Sequence, residues 1–325
     1  ALQASGIVYN ASDQTTQMLV GANDPNQVTE QYTFDQQTGL LSNQKAIKGT
    51  TTLLNLDYNY NRNNSTGTLN GKTGHLTKII DNLNSNKNRE YEFDAVGRLT
   101  KMKGGPTGNL STQTYAYDRF GNRTSVTATG VAADNSPMPV DGIPNLPLTF
   151  NTANNRITTD GFQYDSAGNQ TRALGEDGIW LKYEYDAANR LRVVKHDDGS
   201  PNGVGMQAFM YGSSNARLID YDYGVGMNKL FASVGGTTLS EYTEFAGAIP
   251  TWTKSYTYLG DSQLSTITPN GVGGEAFEYN HPDRLGTKLT TNPQTGAVSE
   301  QTTLPFGKTL TAESGIVGQT GTTSG

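Results

Sequence analysis

The sequence contains no cysteine, no long apolar run and no block of basic residues. The absence of cysteine excludes disulfide bonds and thiolate metal sites. Because no apolar run is long enough to cross a bilayer, the sequence predicts no membrane span in this segment. The net charge is −6 and the basic residues are scattered, so the chain lacks the basic footprint of a nucleic-acid-binding protein.

Hydrophobic residues are also few, at 34% of the chain, whereas glycine (38) and tyrosine (17) are abundant. This composition does not favour a large aliphatic core, and it would fit disorder if the aromatic residues were not regularly placed. The chain begins at Ala1 without Met and shows no signal-peptide pattern, which indicates a processed product or an excised fragment.

A short repeat orders the middle of the chain. Each copy has an aromatic residue, any residue, a second aromatic residue, an aspartate, two further residues and then glycine or asparagine. The four clear copies are Tyr91, Phe93, Asp94 and Gly97; Tyr115, Tyr117, Asp118 and Gly121; Phe162, Tyr164, Asp165 and Gly168; and Tyr183, Tyr185, Asp186 and Asn189. Apart from one interruption the copies recur every ~20–26 residues, a period typical of repeat architectures.

Each position of the repeat has a physical reason. Aromatic side chains two residues apart lie on the same face of a strand, where a half-buried surface suits them. The aspartate can accept hydrogen bonds from backbone N–H groups just ahead and so start a turn. Glycine or asparagine three residues later tolerates a positive φ. Each copy is therefore predicted to be a β-hairpin with a loop of roughly 4–5 residues, and the chain to be all-β.

These residues resemble the Tyr-Asp repeats of the YD-repeat family, which includes bacterial Rhs proteins, toxin-complex C subunits and teneurins. Near the end, Asp283 and Gly286, followed by Pro305, Phe306 and Gly307, resemble the start of an Rhs-associated core domain. The resemblance implies hairpins joined side by side into a long spiralling sheet or shell, which in relatives encloses a toxic C-terminal polypeptide. The residues that carry self-cleavage in such core domains are missing from this sequence, so no catalytic role is transferred.

The resemblance also suggests how the chain is divided. Residues 1–308 are predicted to be one YD-repeat segment, with a proline-rich surface loop at 131–147 and the start of the core motif at 277–308. Residues 309–325, rich in glycine, serine and threonine, are predicted to be a flexible tail. A domain boundary within 131–147 is the alternative, since linkers are often rich in proline.

No catalytic or metal-binding pattern stands out. The three histidines, His75, His196 and His281, lack metal-ligand spacing, and each is predicted to be a surface or turn residue. The repeat aspartates are too far apart in sequence for a calcium loop and are predicted to cap their own turns. We therefore expect neither a metal nor a cofactor, and we predict that the chain is not an enzyme.

The resemblance implies a structural protein that is secreted or exposed on the bacterial cell surface. Its expected partners are the rest of its own polyprotein or a C-terminal toxin cargo. The alternative is a self-associating adhesion or extracellular filament module that pairs through exposed sheet edges. A third hypothesis is a glycan-binding or hydrolytic domain with Trp180 and Trp252 as stacking surfaces, although their regular placement fits cross-strand packing.

Overall fold

The computed structural model describes residues 3–21, 24–60, 74–142, 146–175, 177–245, 247–284 and 287–316. The described residues form β-strands and two short 3₁₀ turns, at Ser85–Lys87 and Thr311–Glu313, and contain no α-helix. The prediction of an all-β chain is thereby confirmed. Gly286 of the core motif lies outside the described residues.

The strands form two large sheets in which hydrogen bonding follows chain order, a 10-stranded sheet of β1 to β10 and a 14-stranded sheet of β11 to β24. The strands of the 10-stranded sheet are β1 (Ala4–Tyr9), β2 (Thr15–Val20), β3 (Val28–Phe34), β4 (Leu41–Lys48), β5 (Thr51–Asn59), β6 (Lys78–Asp81), β7 (Arg89–Phe93), β8 (Leu99–Gly104), β9 (Ser111–Tyr117) and β10 (Arg123–Gly130). Those of the 14-stranded sheet are β11 (Gln163–Tyr164), β12 (Gln170–Leu174), β13 (Trp180–Tyr185), β14 (Leu191–His196), β15 (Val204–Tyr211), β16 (Arg217–Asp222), β17 (Met227–Val234), β18 (Thr237–Phe245), β19 (Thr251–Leu259), β20 (Ser262–Pro269), β21 (Glu275–Pro282), β22 (Thr287–Thr291), β23 (Val298–Glu300) and β24 (Gly315–Ile316).

The four clear repeat copies form the turns of the hairpins β7–β8, β9–β10, β11–β12 and β13–β14. In each hairpin the pairing is antiparallel and its register shifts beside the turn, for example between Glu92 and Phe93 and between Glu184 and Tyr185. Such a bulge places an extra residue on one strand and increases the local twist. The repeat therefore encodes a hairpin together with its bulge.

The chain divides into two compact units. The first comprises Ala1–Gly142, Gly260–Ser265 and Phe277–Gly325, and the second comprises Ile143–Leu259 and Thr266–Ala276. The boundary after Gly142 falls within the segment 131–147. The sequence predicted a loop inside one repeat array there, with a domain boundary as the alternative.

In the first unit, the C-terminal segment from Phe277 onward supplies apolar side chains that the 10-stranded sheet packs against. Leu289 and Val298 join a buried cluster with Leu54 and Leu56 of β5. Two further clusters involve other strands of the same sheet: one has Met102, Tyr115, Ala132, Met138, Leu304 and Leu310, and the other has Met18, Val20, Leu264 and Tyr279. A sheet with few aliphatic residues thus gains a core from a distant part of the chain.

The second unit has little buried hydrophobic surface of its own. Among its described residues, the buried hydrophobic ones are Ala173, Val193 and Phe209. Most side chains of β13 are half-buried. Backbone ladders and pairs between neighbouring strands therefore carry most of the cohesion within this unit.

Two predicted segments differ from the structure. Residues 131–147 were expected to be a surface loop, but Ala132, Met138 and Asp141 are buried against the 10-stranded sheet. The tail predicted from residue 309 starts too early, because Leu310 and Glu313 are buried and Ile316 belongs to β24. Both segments have a composition typical of loops, but a few of their residues pack in the core, and composition does not identify them.

The contribution of the C-terminal segment can be tested at Leu289, of which 1% is exposed. We expect Leu289→Ala to lower the free energy of unfolding by about 2–5 kcal/mol, because it removes buried methyl groups and leaves a cavity. Val96→Ala is the control, since Val96 is 76% exposed, and it should change stability by less than about 0.5 kcal/mol. Urea titration followed by tyrosine fluorescence measures both. Equal small effects would show that this segment does not stabilise the unit.

Candidate functional site

The turns of the repeat are built around the aspartate carboxylate. Asp94 Oδ1 accepts the backbone N–H groups of Val96 at 3.1 Å and Arg98 at 2.9 Å. The Gly97 N–H donates to the Asp94 carbonyl oxygen at 3.0 Å, and Gly97 has φ +84°. The other three copies repeat this backbone pattern, and φ is +92° at Gly121, +98° at Gly168 and +58° at Asn189.

The residue four positions after the aspartate completes each turn. In two copies it is arginine, and Nε donates to the second carboxylate oxygen at 2.6 Å for Arg98 and 2.7 Å for Arg190. In the other two it is asparagine, and Nδ2 donates at 2.7 Å for Asn122 and 2.9 Å for Asn169. Both carboxylate oxygens are therefore used within the turn, which leaves the aspartates poorly suited to bind a metal.

The same side chains connect one turn to the next. Arg98 Nη1 donates to the Asp118 carbonyl oxygen at 2.6 Å, and Asn169 Nδ2 donates to Asn189 Oδ1 at 2.9 Å. Arg190 Nη1 reaches Asn215 Oδ1 at 3.1 Å in the following hairpin. Sequence reasoning missed this linkage. The signal was present, because every clear copy has arginine or asparagine at this position.

These hydrogen bonds shift the titration of the carboxylates. The backbone hydrogen bond from Arg190 is the main cause that lowers the pKa of Asp186, and the Arg190 side chain lowers it further. At Asp165 the Asn169 side chain is the main cause of a lowered pKa. Each stabilises the ionised carboxylate in the folded chain.

The repeat aromatics pack in different ways. Tyr115 is buried, and its hydroxyl donates to Asp141 Oδ2 at 3.0 Å. The Arg98 guanidinium lies 5.1 Å from the centre of the Tyr117 ring, and the exposed His75 stacks on Phe93 at 4.9 Å. Among the remaining copies, Tyr91, Tyr183 and Phe162 are half-buried, Tyr185 donates its hydroxyl to the Gln170 carbonyl oxygen at 2.9 Å, and Tyr164 hydrogen-bonds the Ile157 N–H at 3.0 Å.

The two tryptophans are held by contacts within the protein. The Arg172 guanidinium covers the Trp180 ring at 4.1 Å, and the Phe162 ring meets it edge-on at 5.4 Å. Trp252 is half-buried and donates Nε1–H to Ser255 Oγ at 2.9 Å. These contacts weaken the hypothesis that either ring binds a sugar.

The described residues of the core motif lie in the C-terminal segment of the first unit. Phe306 N–H donates to Asp141 Oδ2 at 3.0 Å, and the Phe306 ring meets Tyr115 edge-on at 5.0 Å. Pro305 and Gly307 form a turn around it, in which Gly307 has φ +96° and donates its N–H to the Leu304 carbonyl oxygen. Asp283 lines a cavity with residues of the 10-stranded sheet.

His281 is fully buried, so the prediction of a surface or turn residue was wrong for this histidine. Its Nδ1 lies 2.6 Å from Glu30 Oε1, and its Nε2 lies 2.9 Å from Thr291 Oγ1. Glu30 is also fully buried and accepts the Tyr32 hydroxyl on its other oxygen. The partner of His281 lies 251 positions away in the sequence, so no local pattern could have revealed the pair. His196, by contrast, is exposed.

A buried ion pair joins the same parts of the first unit. Arg89 of β7 pairs with Glu313, and their side chains are 8% and 1% exposed. Glu313 Oε1 also accepts the Ala133 N–H at 3.3 Å. Nearby, Lys288 contacts Glu300 at 2.8 Å, and Lys87 contacts the other oxygen of the same carboxylate. Charged groups thus hold the C-terminal segment at several points.

Across the described residues, no group of three or more histidine, cysteine, aspartate or glutamate side chains is arranged to hold a metal ion. In that same part of the chain, no helix has the length and hydrophobicity needed to cross a membrane. The polar groups described above are turn carboxylates, guanidinium groups stacked on aromatic rings and buried ion pairs.

The turn carboxylates predict acid sensitivity. Because the pKa of folded Asp186 is below its ordinary value of about 3.9, its contribution is complete above about pH 4 and is lost as the pH falls through the folded pKa. Asp186→Asn keeps an acceptor oxygen but cannot titrate. We expect its free energy of unfolding to fall less than that of the wild type between pH 5 and pH 2. Asp261→Asn, in an exposed turn, should follow the wild-type curve; a wild-type curve for both variants would contradict this account.

The buried contact between His281 and Glu30 predicts that truncating the histidine side chain destabilises the fold. His281→Ala leaves the buried Glu30 side chain with one hydrogen-bond partner fewer, and leaving a buried polar group without a partner costs about 1–3 kcal/mol. Chemical denaturation should show this loss, while His196→Ala on the surface should stay within about 0.5 kcal/mol of the wild type. If both variants proved equally stable, the buried contact would not stabilise the fold.

Comparison with known proteins agrees with this geometry. Residues 69–219 match a family model described as Teneurin YD-shell. The search of curated proteins gave no match. Among solved structures, the Photorhabdus luminescens Tc holotoxin pore carrying TccC3 is similar at 16% identity and a TM-score of 0.69, covering 95% of this chain and 16% of that chain.

Two crystal structures show the same similarity. TcdB2-TccC3-TEV matches at 18% identity and a TM-score of 0.69, over 97% of this chain and 16% of that chain. TcdB2-TccC3 matches at 17% identity and 0.68, over 95% and 16%. At these identities the shared property is the fold, and this chain spans about a sixth of the matched chains. The match of residues 69–219 to the Teneurin YD-shell model, the repeated aspartate turns and the fold shared with the Tc toxin structures support a YD-repeat protein of the Rhs type.

Proposed function

We propose that this chain is a wall segment of a secreted or surface-exposed YD-repeat protein, and that the complete wall encloses a C-terminal polypeptide. In this role the chain acts without catalysis. The repeat aspartates and positive-φ residues serve as structural turns, and the paired aromatics serve as packing surfaces. The observation that carries the proposal is the match of 95% of the chain to the fold of part of a chain in the Tc holotoxin pore.

The packing of the first unit supports this role. A wall that encloses an unfolded polypeptide should not offer it a large apolar surface, because such a surface would bind it. In the first unit, the chain's own C-terminal segment packs on the apolar side chains of the 10-stranded sheet, including Leu54, Leu56 and Met102. Those side chains are therefore not available to another polypeptide.

The second candidate is a self-associating adhesion or filament module. It is favoured by β1, which ends the 10-stranded sheet and has Val8 48% and Tyr9 57% exposed. An open edge strand with exposed apolar side chains can pair with another chain. In this reading the partner is a second copy rather than a cargo.

The two candidates predict different behaviour. In the complete protein, we expect an unstructured reporter peptide placed C-terminal to this segment to be cut by protease at least about tenfold more slowly than the same peptide placed before it, because the complete wall would enclose only the first. Light scattering of the segment alone should report a monomer of 34.9 kDa. Equal cleavage at both ends would contradict the enclosing role.

If the chain instead forms polymers, Val8→Lys places a charge on the edge strand, and lysine on an edge blocks strand pairing. Dissociation of the polymers in this variant would favour the adhesion role. Val96→Lys, at a 76% exposed hairpin position away from the edge, is the matched control and should leave the assembly state unchanged.

A further inference from the structure

The first unit contains a cavity of about 350 Å³ between the 10-stranded sheet and the C-terminal segment. We propose that it binds a neutral polyhydroxylated ligand, of monosaccharide size. The volume lies at the lower end of the range for small-molecule sites, roughly 300–1,000 Å³. At about 30 Å³ per water it corresponds to roughly ten waters, so it exceeds the space of a single structural water.

The polarity of the walls points to a polar ligand. Small-molecule sites are usually lined mainly by apolar side chains with a few polar groups. Here polar and apolar surface share the walls about equally, because Leu56 and Ile79 are the aliphatic lining residues and the others are charged or polar or, at Tyr91, aromatic with a hydroxyl. Such a site favours binding of a ligand with many hydrogen-bonding groups and one small apolar face.

The charges of the walls point to a neutral ligand. Three basic side chains, Lys87, Arg89 and Lys288, face three acidic ones, Asp81, Asp283 and Glu313. The basic groups are already engaged, since Arg89 pairs with Glu313 and both lysines pair with Glu300. A free anion would have to compete with these carboxylates, which costs energy in a partly buried site.

A hydroxyl group avoids that competition. It both donates and accepts, so it can bridge a carboxylate and an ammonium group without separating them. A ring bearing several hydroxyls can do this on both walls at once. The apolar side chains of Leu56 and Ile79 offer contact to the C–H face of such a ring.

Tyr91 supplies the most specific group. It lines the cavity, and among the residues that the structure describes none hydrogen-bonds to its hydroxyl. Burial raises the pKa of Tyr91 to about 12, so the hydroxyl is protonated at neutral pH and available as a donor. A donor of this kind beside charged walls is suited to a ligand oxygen.

The test uses the full chain and calorimetric titration with four neutral probes: D-glucose, D-galactose, N-acetyl-D-glucosamine and myo-inositol. Inorganic phosphate, spermidine and glycine betaine serve as anionic, cationic and zwitterionic probes. We expect at least one neutral probe to bind saturably and the charged probes to bind at least about tenfold more weakly. Tyr91→Phe should weaken the neutral probe about tenfold, the equivalent of one hydrogen bond.

Two further variants keep the test decisive. Thr303→Trp places a ring in the cavity from an exposed lining position and should abolish binding, whereas Tyr183→Phe in the second unit should leave affinity unchanged. Thermal melts of each variant verify folding. Three results would each overturn the proposal. The first is that no neutral probe binds saturably at tens of millimolar, and the second is that neither Tyr91→Phe nor Thr303→Trp affects binding. The third is that a charged or zwitterionic probe binds more tightly than every neutral one. None of these outcomes depends on whether the wall encloses a cargo.

Discussion

The reversal of the chain after each aromatic pair is the constraint on which this fold depends. A sequence with 34% hydrophobic residues cannot hold all its strands by core packing and must rely on backbone ladders and cross-strand pairs. Backbone hydrogen bonds alone do not determine the register between two strands. A strand that slips by one residue still pairs, but its side chains then point to the opposite face of the sheet. The carboxylate of Asp94 and the positive φ of Gly97 fix where the hairpin reverses, and with it the position of the bulge.

Contacts between neighbouring turns extend this local order along the sheet. Because Arg98 bonds within its own turn and to the carbonyl oxygen of Asp118, one side chain couples the positions of two successive hairpins. In such an array each unit contacts mainly its neighbours, and stability is close to a sum of unit and interface terms. This explains how the second unit can remain organised although few of its described hydrophobic residues are buried. It also explains why asparagine can replace arginine at Asn169, since it too reaches the next turn.

How much could be predicted from the sequence depended on the range of each interaction. Asp118 and Gly121 lie within one turn, so spacing and residue type sufficed to predict the hairpin. His281 was misjudged because Glu30, its partner, is 251 positions away and local pattern contains no information about it. Proline suggested a surface loop near residue 137, yet Met138 is buried, because a residue outside a ladder can still fill an apolar gap.

The buried polar and ionic contacts of the first unit restrict where the C-terminal segment binds on a repetitive sheet. Successive strands of the 10-stranded sheet present similar apolar side chains, such as Val20, Leu56 and Met102, so apolar packing alone would let the C-terminal segment bind at several positions with similar energy. Burying charges is costly unless each finds its partner, and a shift by one repeat would leave them unpaired. The buried hydrogen bond between Glu30 and His281 and the buried ion pair of Arg89 with Glu313 therefore both disfavour a shifted position of this segment. Apolar contacts supply most of the cohesion of this segment, and the ionic contacts determine where it binds.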